Sequence, residues 1–154
     1  MTRVYVALDL ETTGLDRTRD AIIEIGMVKF RGNEVLDTFT SLVNPERPLP
    51  LKIQQLVGIS EKELSGAPVL RTLLGTIIRF VGTSPIVGHN IEFDLAFLRR
   101  NELPLNNLAI DTFELATITM PEAGRYSLAN LTQLLGIAYE EPHRALGDAE
   151  ATRL

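Results

Sequence analysis

The run Val4-Tyr5-Val6-Ala7-Leu8-Asp9-Leu10-Glu11-Thr12-Thr13-Gly14 decides how the rest of the chain is read. Val4, Val6, Leu8 and Leu10 alternate with Tyr5, Ala7, Asp9 and Glu11, and both sets stay apolar until the two acids. That pattern predicts a strand buried inside a sheet. Side chains two apart on a strand point to the same side, so Asp9 and Glu11 lie together at the strand's end and can share a metal ion. Acids are also common where a strand emerges into water, and spacing alone leaves both readings open. Thr12-Thr13-Gly14 turns the chain at once and exposes backbone N–H groups beside the acids, a seat for a phosphate or a terminal nucleotide.

Outward from this strand, Ala21 to Phe30 and Glu34 to Val43 are further strands, and Arg31-Gly32-Asn33 between them has hairpin chemistry. The chain therefore opens with a three-stranded antiparallel meander, which the proline-rich segment Asn44 to Pro50 ends. Ser60-Glu61-Lys62-Glu63 is a capping box opening a short helix, and Pro68 stands where a longer helix to about Val81 begins. Pro85 to Gly88 reads as a short buried strand, Asn90 to Asn101 as a helix and Leu108 to Asp111 as another strand. Helical stretches follow at Thr112 to Ile118 and Ser127 to Leu135, and a last helix starts after Pro142. A meander followed by alternating strands and helices predicts an α/β domain: a mixed sheet of about five strands flanked by helices.

Composition narrows the function. A chain of 154 residues, 45% of them hydrophobic, suits one core and one domain spanning 1–154. No apolar run approaches the roughly eighteen residues of a membrane span, and no export signal is visible at the N-terminus. Cysteine is absent, which removes disulfides and thiol nucleophiles and agrees with a cytoplasmic setting. The last helix stops at Leu154 without a C-cap signal, as in a domain cut from a longer protein. Any metal must sit on oxygen or imidazole, and with two histidines and twenty acids the ligand supply favours hard cations such as Mg²⁺ or Mn²⁺. The net charge of −5 argues against a broad basic face gripping duplex DNA. Four of those negatives are candidate metal ligands, and the remainder is nearly balanced, so an anionic substrate is tolerated at a metal centre.

Two further acids interrupt apolar helical faces. On the wheel of Asn90 to Asn101, Asp94 falls between Phe97 and Leu98, within an arc that includes Ile91 and Leu95, while Glu92, Arg99 and Arg100 lie off it. A buried carboxylate is costly unless paired or metal-bound, which leaves an inward salt bridge or a metal. Asp148 lies among Ala145, Ala149, Ala151 and Thr152, small residues that let the last helix approach the sheet and bring Asp148 toward Asp9. Taken alone, Asp148 reads better as a solvated acid near a helix start, favourable to the helix dipole. His143 precedes that helix and can overlook the site as a base for water activation. His89, between Gly88 and Asn90, suits a capping or supporting hydrogen bond better.

Together these residues resemble the DEDDh group of DnaQ-like 3′→5′ exonucleases, a branch of the ribonuclease H-like superfamily. The motifs are Asp9-Leu10-Glu11-Thr12-Thr13-Gly14-Leu15, Val87-Gly88-His89-Asn90-Ile91-Glu92-Phe93-Asp94 and His143-Arg144-Ala145-Leu146-Gly147-Asp148-Ala149, in the family's order and across essentially the whole chain. Ile22-Ile23-Glu24-Ile25-Gly26 and Gln55-Leu56-Val57-Gly58-Ile59 also look like family segments. The resemblance implies a ribonuclease H-like sheet. It implies that Asp9, Glu11, Asp94 and Asp148 hold two Mg²⁺ or Mn²⁺ ions and that His143 is the general base. It further implies stepwise release of nucleoside 5′-monophosphates from a single-stranded 3′ end, with Thr12, Gly14, Leu15, Leu56, Ile59, Asn90 and Phe93 forming the pocket for the last nucleotides.

The family includes proofreading subunits and domains of bacterial DNA polymerases, RNA-trimming enzymes and N-terminal domains of DinG-type helicases. The loop Met120 to Leu128 looks like the helicase- or polymerase-associated version, which favours DNA and a polymerase or fused helicase as partner, with no membrane. An exoribonuclease of the same group fits the same residues. A non-catalytic module that binds a 3′ end or a polymerase is the alternative of another class, and the presence of all five catalytic positions counts against it.

Overall fold

The computed structural model describes residues 3–154. Its centre is a five-stranded sheet in the order β3-β2-β1-β4-β5: β1 (Tyr5–Thr12), β2 (Ile22–Arg31), β3 (Glu34–Leu42), β4 (Ile86–Gly88) and β5 (Ala109–Asp111). The first three strands form the antiparallel meander, and β4 and β5 join parallel to β1. The helices are α1 (Leu51–Val57), α2 (Glu61–Ser65), α3 (Leu70–Val81), α4 (Ile91–Arg100), α5 (Thr112–Thr119), α6 (Leu128–Leu135) and α7 (Ala145–Arg153). None of them is long and apolar enough to cross a membrane.

Helix α1 is absent from the sequence reading for a physical reason. It starts on Pro50 with no side-chain cap and no acid in its first turn, so the usual start signals are missing. Its stop signal is present: Gly58 adopts φ 68°, the left-handed conformation of a C-terminal glycine. The last helix begins at Ala145, three residues after Pro142, and His143 stands outside it at φ 61°.

The period of two along β1 divides the core. Val6, Leu8 and Leu10 pack with Ile25 and Met27 of β2 and with Ile77, Leu95, Phe97 and Leu98 of α3 and α4. Ala7 faces the opposite side, where it meets Val28, Phe30 and Ala149 of α7. Helix α7 lies close to the sheet because Gly26 makes room: a Cβ there would stand 2.2 Å from backbone atoms of Ala145 and Leu146. Strand β4 pairs with β1 only at Val6 and Ala7, and β1 runs on unpaired along that edge. Asp9, Leu10 and Glu11 thus emerge beside an open edge, which is where the cleft forms.

Candidate active site

A cleft of about 530 Å³ opens at the C-terminal end of β1. Asp9 and Glu11 form its floor, Asp94 enters from the first turn of α4 and Asp148 from the first turn of α7. The Asp94 side chain is buried at 4% exposure and accepts a hydrogen bond from the Leu10 N–H, 2.9 Å, the group that β4 would have paired had it continued. No ion pair to Asp94 exists among the described residues, so the inward salt bridge is not what fills this position. Glu92 and Arg99 instead pair with each other on the exposed side of α4.

Asp148 is positioned by a loop the sequence reading did not connect to it. The Tyr139 hydroxyl donates to Asp148 Oδ1 at 2.7 Å, and the His143 N–H donates to the same oxygen at 3.2 Å. The second carboxylate oxygen remains available to the cleft. His143 is exposed at the rim, and Glu11, His143 and Asp148 present donor atoms within 4.8 Å of one another. Its positive φ is uncommon for a residue with a Cβ, and here it belongs to the turn that aims both its N–H and its ring at the site.

The acids raise one another's affinity for protons. Burial, then the charges of Asp94, Asp148, Glu11 and Glu24, push Asp9 well above the usual carboxylate range. Burial, then Asp148 and Glu24, push Glu11 up to about 8, opposed by Arg144. Burial raises Asp94 well above its ordinary value and raises Asp148 as well, against the hydrogen bonds from Leu10 and Tyr139 respectively. The nearby guanidinium, Arg144, is already engaged with the buried Glu24 at 2.8 Å. Four oxygen-bearing groups converge without matching positive charge, a donor set that fits hard divalent cations.

Glu24 lies in a segment that the sequence reading quoted without giving the acid a role. It sits opposite Glu11 in the β1–β2 ladder and is 2% exposed. One oxygen accepts from the Ala145 N–H at 3.0 Å while Arg144 spans both oxygens, so Glu24 clamps the start of α7 to the sheet. The acid among apolar neighbours in Ile22-Ile23-Glu24-Ile25-Gly26 was the available signal.

His89 also reaches the cleft, with both ring nitrogens occupied. Nε2 donates to the Tyr126 carbonyl at 2.7 Å, and Nδ1 lies 3.0 Å from the Thr112 hydroxyl, which also reaches the Gly88 carbonyl at 3.3 Å. Burial lowers its pKa, which favours the neutral ring. It does not cap α4: Asn90 occupies that position and donates its N–H to Asp111.

Of the expected substrate pocket, Thr12, Leu15, Leu56, Asn90 and Phe93 line the cleft. Two residues stand elsewhere. Ile59 is buried at 2% exposure with Ile23, Leu49, Val57 and Leu64, because α1 and α2 close over that side of the sheet. Gly14 lies behind the lining with its carbonyl held by the Thr12 hydroxyl and its Cα against Asp20. Arg17, which the sequence reading did not single out, joins the lining.

This sheet and acid-lined cleft define a ribonuclease H-like nuclease domain. The family model for exonucleases of the RNase_T type matches residues 6–153, and the chain belongs to that family. It is 38% identical over 152 residues to the PolC-type DNA polymerase III of Clostridium perfringens and 40% identical over 153 residues to that of Latilactobacillus sakei. Each comparison covers 96% of this chain but 10% and 11% of the relative, so the chain spans about a tenth of the length of these polymerases. Among solved structures, Exonuclease X in complex with 5′ overhanging duplex DNA is 26% identical, with a TM-score of 0.77 over 97% of this chain and 86% of that one. The nuclease domain of 3′hExo, a DEDDh family member bound to rAMP, shares the fold at 20% identity, with a TM-score of 0.82 over 99% of this chain and 88% of that one.

Proposed function

We propose that residues 1–154 form one exonuclease domain that releases nucleoside 5′-monophosphates stepwise from the 3′ end of single-stranded DNA. The observation that carries this reading is the convergence of Asp9, Glu11, Asp94 and Asp148 from three elements into one cleft, with His143 at its rim. Asp9, Glu11, Asp94 and Asp148 would hold two Mg²⁺ or Mn²⁺ ions. When bound, such ions stabilise the charge that develops on the attacking and leaving oxygens of a phosphodiester.

The chain's own groups do the rest. His143 is exposed at the rim and takes a proton from the attacking water. His89 is unsuited to that task because both its nitrogens are engaged and burial lowers its affinity for a proton. Tyr139 and the His143 N–H orient Asp148, and Glu24 holds the helix that carries it. Leu15, Leu56 and Phe93 offer apolar surface to the terminal bases. The PolC-type relatives support DNA as the substrate and a DNA polymerase as the partner in the same chain or complex.

The test uses 5′-labelled single-stranded DNA and RNA oligomers of one sequence with Mn²⁺ or with EDTA. A metal-dependent ladder shortening from the 3′ end of DNA is expected, with RNA shortened more slowly. No shortening of either substrate overturns the enzymatic reading, and faster shortening of RNA reassigns the substrate. His143→Ala should remove the ladder while Mn²⁺ binding, followed by calorimetry, largely persists. Full activity in that variant would reassign the base.

A further inference from the structure

Arg17 stands apart from the other arginines around its loop. Arg19 is paired with Asp16 and Arg99 with Glu92, and Arg47 and Arg100 donate to backbone carbonyls, whereas the Arg17 side chain has neither a carboxylate nor a hydrogen-bond partner among the described residues. Its guanidinium lies over the Phe93 ring, 5.5 Å from the centroid, and both side chains line the cleft beside Leu15. In a cleft whose lining includes four carboxylates it is a permanent cation, and it is directed at an aromatic face rather than at those acids.

The backbone that carries it is braced on both sides. The Arg17 carbonyl accepts from Arg100 Nη1 of α4 at 2.9 Å, and the Arg19 carbonyl accepts from Arg47. Within the loop, Asp20 accepts from the Asp16 N–H and from the Thr13 hydroxyl, while Asp16 accepts from the Thr18 N–H and hydroxyl. Holding a flexible side chain over a ring from a stiffened loop lowers the ordering penalty of using it in binding.

We propose that Arg17 and Phe93 clamp the 3′-terminal base of the substrate, the guanidinium stacking on one face of the base and the phenyl ring on the other. The inference rests on the exonuclease reading of the cleft and adds a residue that recognises the base. A base stacked on both sides needs a gap of about 7 Å, two van der Waals contacts, so the guanidinium withdraws by about 1.5 Å as the base enters. Guanidinium and aromatic planes both stack on any base, so the clamp senses that a base is present without selecting which one.

The experiment compares two 5′-labelled DNA oligomers, one with an ordinary 3′-terminal nucleotide and one with an abasic 3′-terminal residue, using the wild-type chain, Arg17→Ala and Arg17→Lys with Mn²⁺. In the wild type, kcat/KM for the ordinary end should exceed that for the abasic end by about 10-fold, with the difference mainly in KM. Arg17→Ala should bring that ratio down about 5-fold, and Arg17→Lys should retain part of it. A ratio unchanged in Arg17→Ala overturns the clamp, including the case in which both substrates slow equally through a contact to phosphate or a loosened loop. Equilibrium binding of an oligomer with 3′-terminal 2-aminopurine, read by fluorescence without turnover, separates this proposal from the catalytic one. Stacking should quench the probe in the wild type and less so in Arg17→Ala, even if the wild type cuts nothing. Equal quenching in both overturns the clamp even if the ladder is normal.

Discussion

Helix α4 buries Ile91, Leu95, Phe97 and Leu98 against the sheet, while α7 buries Ala145, Ala149 and Ala151, and each brings one acid to the same cleft. On α4 the large side chains keep the helix axis at a distance that Asp94 spans to reach the Leu10 N–H. On α7 small residues and Gly26 let the backbone itself approach, and Asp148 needs Tyr139 and the His143 N–H to set its direction. The two helices should therefore fail in opposite ways: α4 by losing volume, α7 by gaining it.

The largest effect is expected from Gly26→Ala. The added methyl would sit 2.2 Å from the backbone of Ala145 and Leu146, so α7 must move outward by more than an ångström. A displacement of that size lowers catalysis by about 100-fold, and the overpacking destabilises by about 1–3 kcal/mol. Single-turnover rates and chemical denaturation measure the two parts, and an unchanged rate would show that α7 has slack. Next is Leu98→Ala on α4, expected to lower stability by about 2–5 kcal/mol while turnover per folded molecule stays within a few-fold, because Leu98 does not line the cleft. A large loss of turnover at full stability would mean that Asp94 depends on this packing more closely than the structure implies.

Tyr139→Phe sharpens the comparison further, since it removes a support that α7 has and α4 lacks. Mn²⁺ affinity should fall about 10-fold with little change in melting temperature, read by titration calorimetry. The smallest effect is in the metal-free protein. Because burial and mutual repulsion raise Asp9, Glu11 and Asp94, the folded state holds protons that the unfolded chain releases. Their contribution to stability is present below the unfolded values, near 4, and is lost as pH rises toward about 8, the value for Glu11. In EDTA the melting temperature should fall between pH 5 and pH 8.5, and Mn²⁺ should restore more of it at the upper end. A flat profile in EDTA would show that the acids do not crowd one another.

Much of the site was legible because it depends on local geometry. The alternation of β1 puts Asp9 and Glu11 on one side, and the turn of α4 puts Asp94 among Ile91, Leu95 and Leu98, whatever else the chain does. Helix α1 was not legible because Pro50 opens it without a cap. The family resemblance placed Ile59 in the substrate pocket, yet α1 and α2 fold over it and bury it with Ile23 and Leu64.

Tyr139 and Arg17 show the same limit. Tyr139 is nine residues from Asp148, with a turn between them that no periodicity describes, and Arg17 meets Phe93 only after its loop drapes along α4. The sequence by itself determined the acids, the mixed α/β pattern and the family, because strand and helix periods are properties of the backbone and survive without tertiary context. Only the tertiary structure decided that Glu24 fastens α7, that β4 ends early enough to free the Leu10 N–H for Asp94, and that Arg17 stands over Phe93. These contacts join residues up to 121 positions apart, and their partners are chosen by how the layers pack, not by any pattern along the chain.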